Sequence, residues 1–164
     1  MKTKRMTRIA LLTALALGIF LLEMQIPMPI RISGVKLGLA NIVTLFALFT
    51  LGVPDACWIL FLRILLGSLF GGLNTLPYSL AGGGMSLLSL LVLRHMVTQK
   101  QIWACGVLSG LFHNLGQLLM AVLLTGTPSL LLYLPPLAAC GILTGLLTGL
   151  CAQLCILRLR RRKI

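Results

Sequence analysis

The sequence predicts an all-α, polytopic membrane protein with a bundle of six transmembrane helices. Hydrophobic residues make up 59% of the 164 residues and charged residues only 10%, whereas about 25% of the residues in a soluble domain are charged. Apolar stretches of about 20 residues, the length needed to cross a bilayer, recur along the whole chain. We therefore expect a single integral membrane domain over residues 1–164.

The boundaries of the predicted helices come from proline, glycine and polar residues between the apolar stretches. Proline is well tolerated in the first turn of a helix, so Pro54 and Pro135 each indicate a helix start. Residues 128–134 are then expected to form a short cap, although a longer kinked helix fits the same sequence. The predicted helices cover residues 7–25, 37–53, 54–72, 78–95, 102–124 and 135–157.

The basic residues predict the orientation in the membrane. The chain contains fourteen Lys and Arg residues but only two acidic ones. In membrane proteins, Lys and Arg are enriched in the cytoplasmic segments next to transmembrane helices. With both termini cytoplasmic, eleven basic residues lie on that side and only Arg31 and Lys36 lie outside. Because the charges cluster at helix ends, we expect contacts with membrane lipid and not with nucleic acid. The eleven are Lys2, Lys4, Arg5, Arg8, Arg94, Lys100, Arg158, Arg160, Arg161, Arg162 and Lys163.

The scarcity of acids limits the chemistry. Glu23 and Asp55 lie thirty-two residues apart in the sequence, whereas magnesium-dependent enzymes acting on diphosphates cluster their carboxylates. We expect no enzyme activity, metal or cofactor. The five cysteines lie in apolar stretches and are expected to pack there without forming disulfides or a zinc site.

Small residues recur at helical spacing. Glycines four residues apart, such as Gly106 and Gly110, allow close helix packing in lipid, and we expect that role for most of them. Helix one carries Ala10, Ala14 and Gly18 on one stripe. This stripe is either an internal seam or a docking face for another membrane protein.

Several polar residues fall within predicted helices, where an ionisable side chain is costly unless it faces protein or water. Arg63 is expected near the midplane without a carboxylate at its depth, and His113 and Gln117 share one helix face. The absence of a nearby carboxylate also argues against a proton relay through His113. Together the polar groups predict a cavity open to the outside, although a purely structural hydrogen-bond network remains the alternative.

Four segments resemble the Gx transporter family, whose members are also labelled heptaprenyl diphosphate synthase component I. They are residues 27–41 (PMPIRISGVKLGLAN), 63–67 (RILLG) with the following Gly71-Gly72 pair, 79–86 (SLAGGGMS) and 113–117 (HNLGQ). Where the family usually has Pro-Gly, this chain has Ile32-Ser33-Gly34. The family in turn resembles the substrate-binding S components of energy-coupling factor importers. That resemblance implies a binding site in the outer half and a docking motif on helix one, here Ala10 to Ala14.

The resemblance implies a bacterial cytoplasmic-membrane protein that captures a small or amphipathic anionic substrate from outside. A separate coupling subunit and ATPases would supply the energy, because the chain has no nucleotide-binding motif. The alternative is a non-transporting accessory subunit of isoprenoid or quinone metabolism, with a prenyl-type ligand. A carrier working alone is disfavoured by the shortage of acids. Glycines of helix four are expected to let backbone approach the substrate, and the candidate binding residues are Lys36, Asn41, Arg63, Ser79, His113, Asn114 and Gln117.

Overall fold

The computed structural model describes residues 2–26 and 36–161, and these form six α-helices and two short 3₁₀ helices. Five of the α-helices are long and apolar enough to cross a membrane, which confirms the predicted fold class. The α-helices are α1 (Lys2–Glu23), α2 (Asn41–Thr50), α3 (Val53–Gly71), α4 (Leu76–Leu93), α5 (Ile102–Thr125) and α6 (Leu134–Arg161).

Two polar contacts show which helix ends lie together. The Arg5 guanidinium donates to the Asp55 carboxylate across 2.7 Å, which joins the start of α1 to the start of α3. The Trp103 backbone N–H donates to the Gln153 side chain, which joins the start of α5 to the last turns of α6. We call this the terminal end of the bundle. Glu23, the last residue of α1, lies at the other end.

The second crossing is the main departure from the predicted helix boundaries. Helix α2 begins at Asn41 and not at Leu37, and its ten residues span only about 15 Å. Gly38 has a φ of +81°, a left-handed conformation that prevents α2 from extending further toward the N-terminus. Residues 36–40, which we call the strap, therefore run into the bundle as non-helical backbone. Such backbone is tolerated at membrane depth when protein surrounds it, and Gly38 is buried.

The glycines of α5 and α6 pack as the sequence predicts. A Cβ on Gly106 would lie 2.5 Å from the Gly145 carbonyl oxygen, and one on Gly149 would lie 2.6 Å from the Trp103 carbonyl oxygen. Neither position has space for a side chain. The two helices therefore meet backbone to backbone, which fixes α5 and its polar residues against α6.

The remaining boundaries differ from the predicted ones by a few residues. Helix α1 starts at Lys2, five residues earlier than predicted, and α6 continues to Arg161. The predicted cap before α6 is a separate 3₁₀ helix, Pro128–Tyr133. The described residues do not include Arg31, the Ile32-Ser33-Gly34 segment, Arg162 or Lys163.

Candidate functional site

A polar cavity lies away from the terminal end, where α1, α3, α4 and α5 meet the strap. Its volume is about 10 Å³, room for roughly one water molecule. The strap fills most of this space, so the cavity has no room for a ligand in this structure. Its opening to the outside stays a prediction. The cavity is lined by Phe20, Glu23, Lys36, Gly38, Arg63, Ile64, Ser79, His113 and Gln117.

The strap is held in the site by its own backbone. The Lys36 N–H donates to Oε1 of Gln117 across 2.8 Å, and the Gly38 N–H donates to Oε1 of Glu23 across 2.6 Å. The Lys36 ammonium lies 3.8 Å from the centroid of the Phe20 ring, a cation–π contact. Polar groups on α1 and α5 thus bind strap backbone in a place where a ligand could bind.

The hydrogen bonds fix the orientation of the Gln117 amide and the protonation of His113. Because Oε1 of Gln117 accepts from the strap, its Nε2 is the atom that faces His113, at 2.9 Å from the ring Nε2. An amide nitrogen is a donor, so the His113 Nε2 accepts and a neutral imidazole carries its proton on Nδ1. That N–H points away from Gln117, and this side of the ring lies beside Gly82 of α4.

Several buried polar atoms around the strap have no hydrogen-bond partner within residues 2–26 and 36–161. They include the Lys36 Nζ, the His113 Nδ1 and both side-chain polar atoms of Asn41. Most buried polar groups in proteins are paired, so a cluster of unpaired ones indicates a place for water or a ligand. Asn41 belongs to this cluster because a Cβ on Gly38 would lie 3.1 Å from its Nδ2 and 2.7 Å from the His113 ring.

Arg63 shares the cavity with a carboxylate. The sequence placed no acid at its depth, and that expectation was wrong, since Glu23 and Arg63 line the same cavity and interact electrostatically. Both side chains are 5% exposed. Among the described residues the one direct ion pair is that of Arg5 with Asp55, so Glu23 and Arg63 face each other across the cavity without touching. With Lys36, the cavity holds two cations and one anion.

Glu23 is the functional candidate that sequence reasoning missed. The signal was present in the spacing of α1, where Thr13, Ala16, Phe20 and Glu23 recur at intervals of three or four and form its buried face. An acid on the buried face of an apolar helix faces protein and not lipid. Glu23 and His113 line the same cavity, so the absence of a carboxylate near the histidine no longer argues against a proton relay.

The structure brings five of the seven candidate binding residues into the cavity lining and places the other two outside it. Asn41 adjoins the strap, as described above. Asn114 faces α6, where its Nδ2 donates to the Leu137 carbonyl oxygen across 2.8 Å, a contact that joins two helices. The five in the lining are Lys36, Arg63, Ser79, His113 and Gln117.

The glycines of α4 have a different role from the expected one. A Cβ on Gly82 would lie 2.7 Å from Cγ of Gln117 and 2.9 Å from the His113 carbonyl oxygen. A Cβ on Gly83 would meet Ile64 on α3 at 3.0 Å. These glycines therefore let α4 pack against its neighbouring helices and set the positions of His113 and Gln117, and they do not line the cavity themselves.

The small-residue stripe of α1 lies on the outer surface. Ala10, Ala14 and Gly18 are all exposed, and a Cβ on Gly18 would meet no atom within 4 Å. Of the two roles left open by the spacing, the internal seam is wrong for this chain. The stripe is available to another protein or to lipid.

The fold and the site define a class of protein: a multi-pass helical membrane protein with a closed, charged cavity near one end of the bundle. Residues 12–155 match the family described as heptaprenyl diphosphate synthase component I, and the chain belongs to that family. The match confirms the family indicated by the four sequence segments. Comparison with curated proteins and with solved structures gives no significant match.

Proposed function

We propose that this protein is a membrane substrate-binding protein that takes a small or amphipathic anionic substrate into the cavity beside Arg63. The observation that carries the proposal is the cluster of buried polar atoms around the strap that have no partner in the described part of the chain. A hydrogen-bond network that served only to fix the bundle would have its donors and acceptors satisfied. Arg63 and Lys36 would attract the anionic group, while Gln117, Ser79 and the His113 Nδ1–H would orient it.

Binding requires the strap to move, because the closed cavity holds about one water molecule. Withdrawal of the strap would free the acceptors on Glu23 and Gln117 and expose Arg63. Discontinuous helices at mid-membrane commonly form substrate sites in transporters, since their unwound backbone can rearrange. The interruption of the second crossing at Gly38 supports the same arrangement here.

The proposal places both termini in the cytoplasm, in a bacterial cytoplasmic membrane, and the cavity toward the outside. The accumulation of basic residues at the terminal end supports this orientation. A separate coupling subunit and ATPases would drive reorientation, and the exposed stripe of Ala10, Ala14 and Gly18 is the proposed docking face. The chain itself is proposed to lack enzyme activity and to need no cofactor.

The charge of Arg63 gives the test. We expect a panel of carboxylate and phosphate compounds to include some that raise the melting temperature of the purified protein. Arg63→Ala should weaken their binding at least about 10-fold, because charge-assisted hydrogen bonds contribute about 1.5–3 kcal/mol each. Arg63→Lys should retain part of the binding. Arg94→Ala removes a cation at the terminal end and serves as the control.

Correct insertion of the Arg63→Ala protein would be checked by its helical circular dichroism and its monodisperse elution in detergent. An inserted Arg63→Ala protein that binds the same compounds as strongly as the wild type would refute the role of the charge.

The second candidate function is that of a non-transporting subunit of isoprenoid or quinone metabolism with a prenyl-type ligand. The family description supports it, since a component implies partner subunits. The two functions predict different partners. Co-purification of a soluble prenyl-chain enzyme, in place of a membrane coupling subunit and ATPases, would favour the second.

A further inference from the structure

A lipid-facing groove runs between α1, α2 and α6 in the half of the bundle that contains the terminal end. It consists of two adjoining cavities of about 510 and 660 Å³, and Leu12, Phe46 and Leu159 line both. We call it the terminal groove. It is separate from the polar cavity, with which it shares no lining residue.

The groove exists because α2 separates two helices that do not meet. Helix α2 packs against both α1 and α6, while in the described part of the chain α1 and α6 make no packing contact with each other. Ala152 of α6 is buried and has a small side chain, which leaves space in the groove beside α2. The walls are apolar, with side chains such as Leu15 and Ile19.

Three arginines line the groove toward the terminal end. Arg8 and Arg160 line one of its two cavities and Arg158 the other, and all three are exposed. The chain has only two acids, of which Asp55 is bonded to Arg5 and Glu23 lies at the other end of α1. The three guanidinium groups therefore have no carboxylate side chain to neutralise them, and phosphate oxygens suit their geometry.

The length of the groove matches one membrane leaflet. From Arg8 to Ile19 the helix rises through eleven residues, about 16 Å, and half of a hydrocarbon core is about 15 Å. An acyl chain whose phosphate lies at the arginines would end near Ile19 and Ile42. A long prenyl chain would extend well beyond that point.

We propose that the terminal groove is a specific site for an anionic phospholipid of the adjacent leaflet. One acyl chain occupies the apolar slot and the phosphate binds Arg8, Arg158 and Arg160. The site is independent of the polar cavity and of the function proposed for it.

Native mass spectrometry of the full chain tests the site. The protein would be released from nanodiscs that contain equal amounts of phosphatidylglycerol and phosphatidylcholine with the same acyl chains. We expect retained phosphatidylglycerol to exceed phosphatidylcholine by roughly tenfold or more, since each cation near an anionic headgroup contributes about a fivefold preference. The variant Arg8→Ala/Arg158→Ala/Arg160→Ala should retain the two lipids about equally.

The matched control is Lys4→Ala/Arg94→Ala/Lys100→Ala, which removes three charges outside the groove. It should keep the preference for phosphatidylglycerol. Leu15→Trp, at a half-exposed position in the wall, should reduce retention of both lipids by filling the slot.

Equal loss of the preference in both triple variants would overturn the proposal, because binding would then depend on general surface charge. Unchanged retention in Leu15→Trp would also overturn it. The same holds if added farnesyl diphosphate displaces phosphatidylglycerol from the wild type, since the groove would then prefer a prenyl diphosphate.

Discussion

Arg63 and Glu23 together determine what the cavity can accept. Each is costly to bury alone in a membrane, and each offsets part of the other's charge across the cavity. The excess of one cation, from Lys36, leaves a site with a net positive charge that attracts anions modestly. In the closed state Glu23 occupies the position of an internal anion, which an anionic substrate would have to compete with or displace.

Substitution of Glu23 should therefore change the affinity for anionic compounds in the opposite direction to substitution of Arg63. Glu23→Gln removes the negative charge, keeps the side-chain shape and weakens the hydrogen bond to Gly38. We expect anionic compounds to bind roughly tenfold more tightly, because a unit charge several ångströms away contributes on the order of 1–3 kcal/mol in protein surroundings. Calorimetric titration would measure the change. Weaker binding in Glu23→Gln would mean that the carboxylate contacts the substrate, and would refute its role as a competing anion.

Most residues of the cavity could be identified from the sequence, but the balance of positive and negative charge in it could not. Arg63, His113 and Gln117 were found because polar side chains stand out in apolar helices. Glu23 was judged by its position near a helix end, and the reach of two long side chains into one cavity is not visible in a sequence. Asn114 stood out in the same way and was predicted to bind substrate, but its amide joins α5 to α6.

The strap and α2 are the elements that make the site closed. The strap's backbone N–H groups bond to Glu23 and Gln117, so the strap occupies the space beside Arg63 that a ligand would need. Because α2 begins only at Asn41, the N–H groups of Lys36 and Gly38 lie outside the helix and bond to side chains of α5 and α1. Gly38 is the residue on which the interruption depends.

A matched pair of glycine substitutions tests the strap. Gly38 and Gly72 have φ values of +81° and +86°, so alanine at either position is strained by about 1 kcal/mol. At Gly38 the new methyl group would also lie 2.7 Å from the His113 ring, whereas at Gly72 it would meet nothing within 4 Å. We expect both variants to lose some thermal stability, and Gly38→Ala alone to change hydrogen–deuterium exchange at the strap and ligand binding. Identical behaviour of the two variants would contradict the placement of the strap.

Five of the six predicted transmembrane helices could be found in the sequence, because their apolar length is enough to span a bilayer. The start of the second helix could not be predicted correctly, since Leu37 and Leu39 continue the apolar pattern of α2. Only the backbone conformation of Gly38 separates these leucines from α2, and the sequence does not reveal it because glycine is also frequent within membrane helices.

The whole molecule presents an outer surface with two separate features, the small-residue stripe of α1 and the terminal groove. The helices around the cavity are held by backbone contacts between α5 and α6 and by the glycines of α4. Helix α1, in contrast, is largely exposed along Ala10, Ala14 and Gly18. If the stripe is the docking face that we propose, α1 would connect a bound partner to the cavity, because the same helix lines the cavity with Phe20 and Glu23.

Bulky residues on the stripe test this arrangement. Ala10→Leu/Ala14→Leu should abolish co-purification of a coupling subunit while changing the stability of the protein by less than about 0.5 kcal/mol, since both positions are exposed. Pull-down from native membranes followed by protein mass spectrometry would measure it. Leu88→Phe adds volume at an exposed position of α4 and should leave the complex intact. If Ala10→Leu/Ala14→Leu retained the partner in full, the stripe would be excluded as the docking face.

The fold class and the family follow from composition and motifs, while the closed state of the cavity depends on contacts between distant segments. Lys36 and Gln117 are separated by 81 positions in the chain, and their hydrogen bond is one of the contacts that hold the strap in the cavity. Hydropathy and spacing contain no information about such a contact.

The central claim is that the cavity beside Arg63 binds an anionic small molecule, and mass spectrometry of the compounds that co-purify in mild detergent tests it most directly. The wild type and Arg94→Ala should both retain an anionic compound, and Arg63→Ala should have lost it. Retention of the same compound by a correctly inserted Arg63→Ala protein, or the absence of any anionic compound from the wild type, would contradict the account.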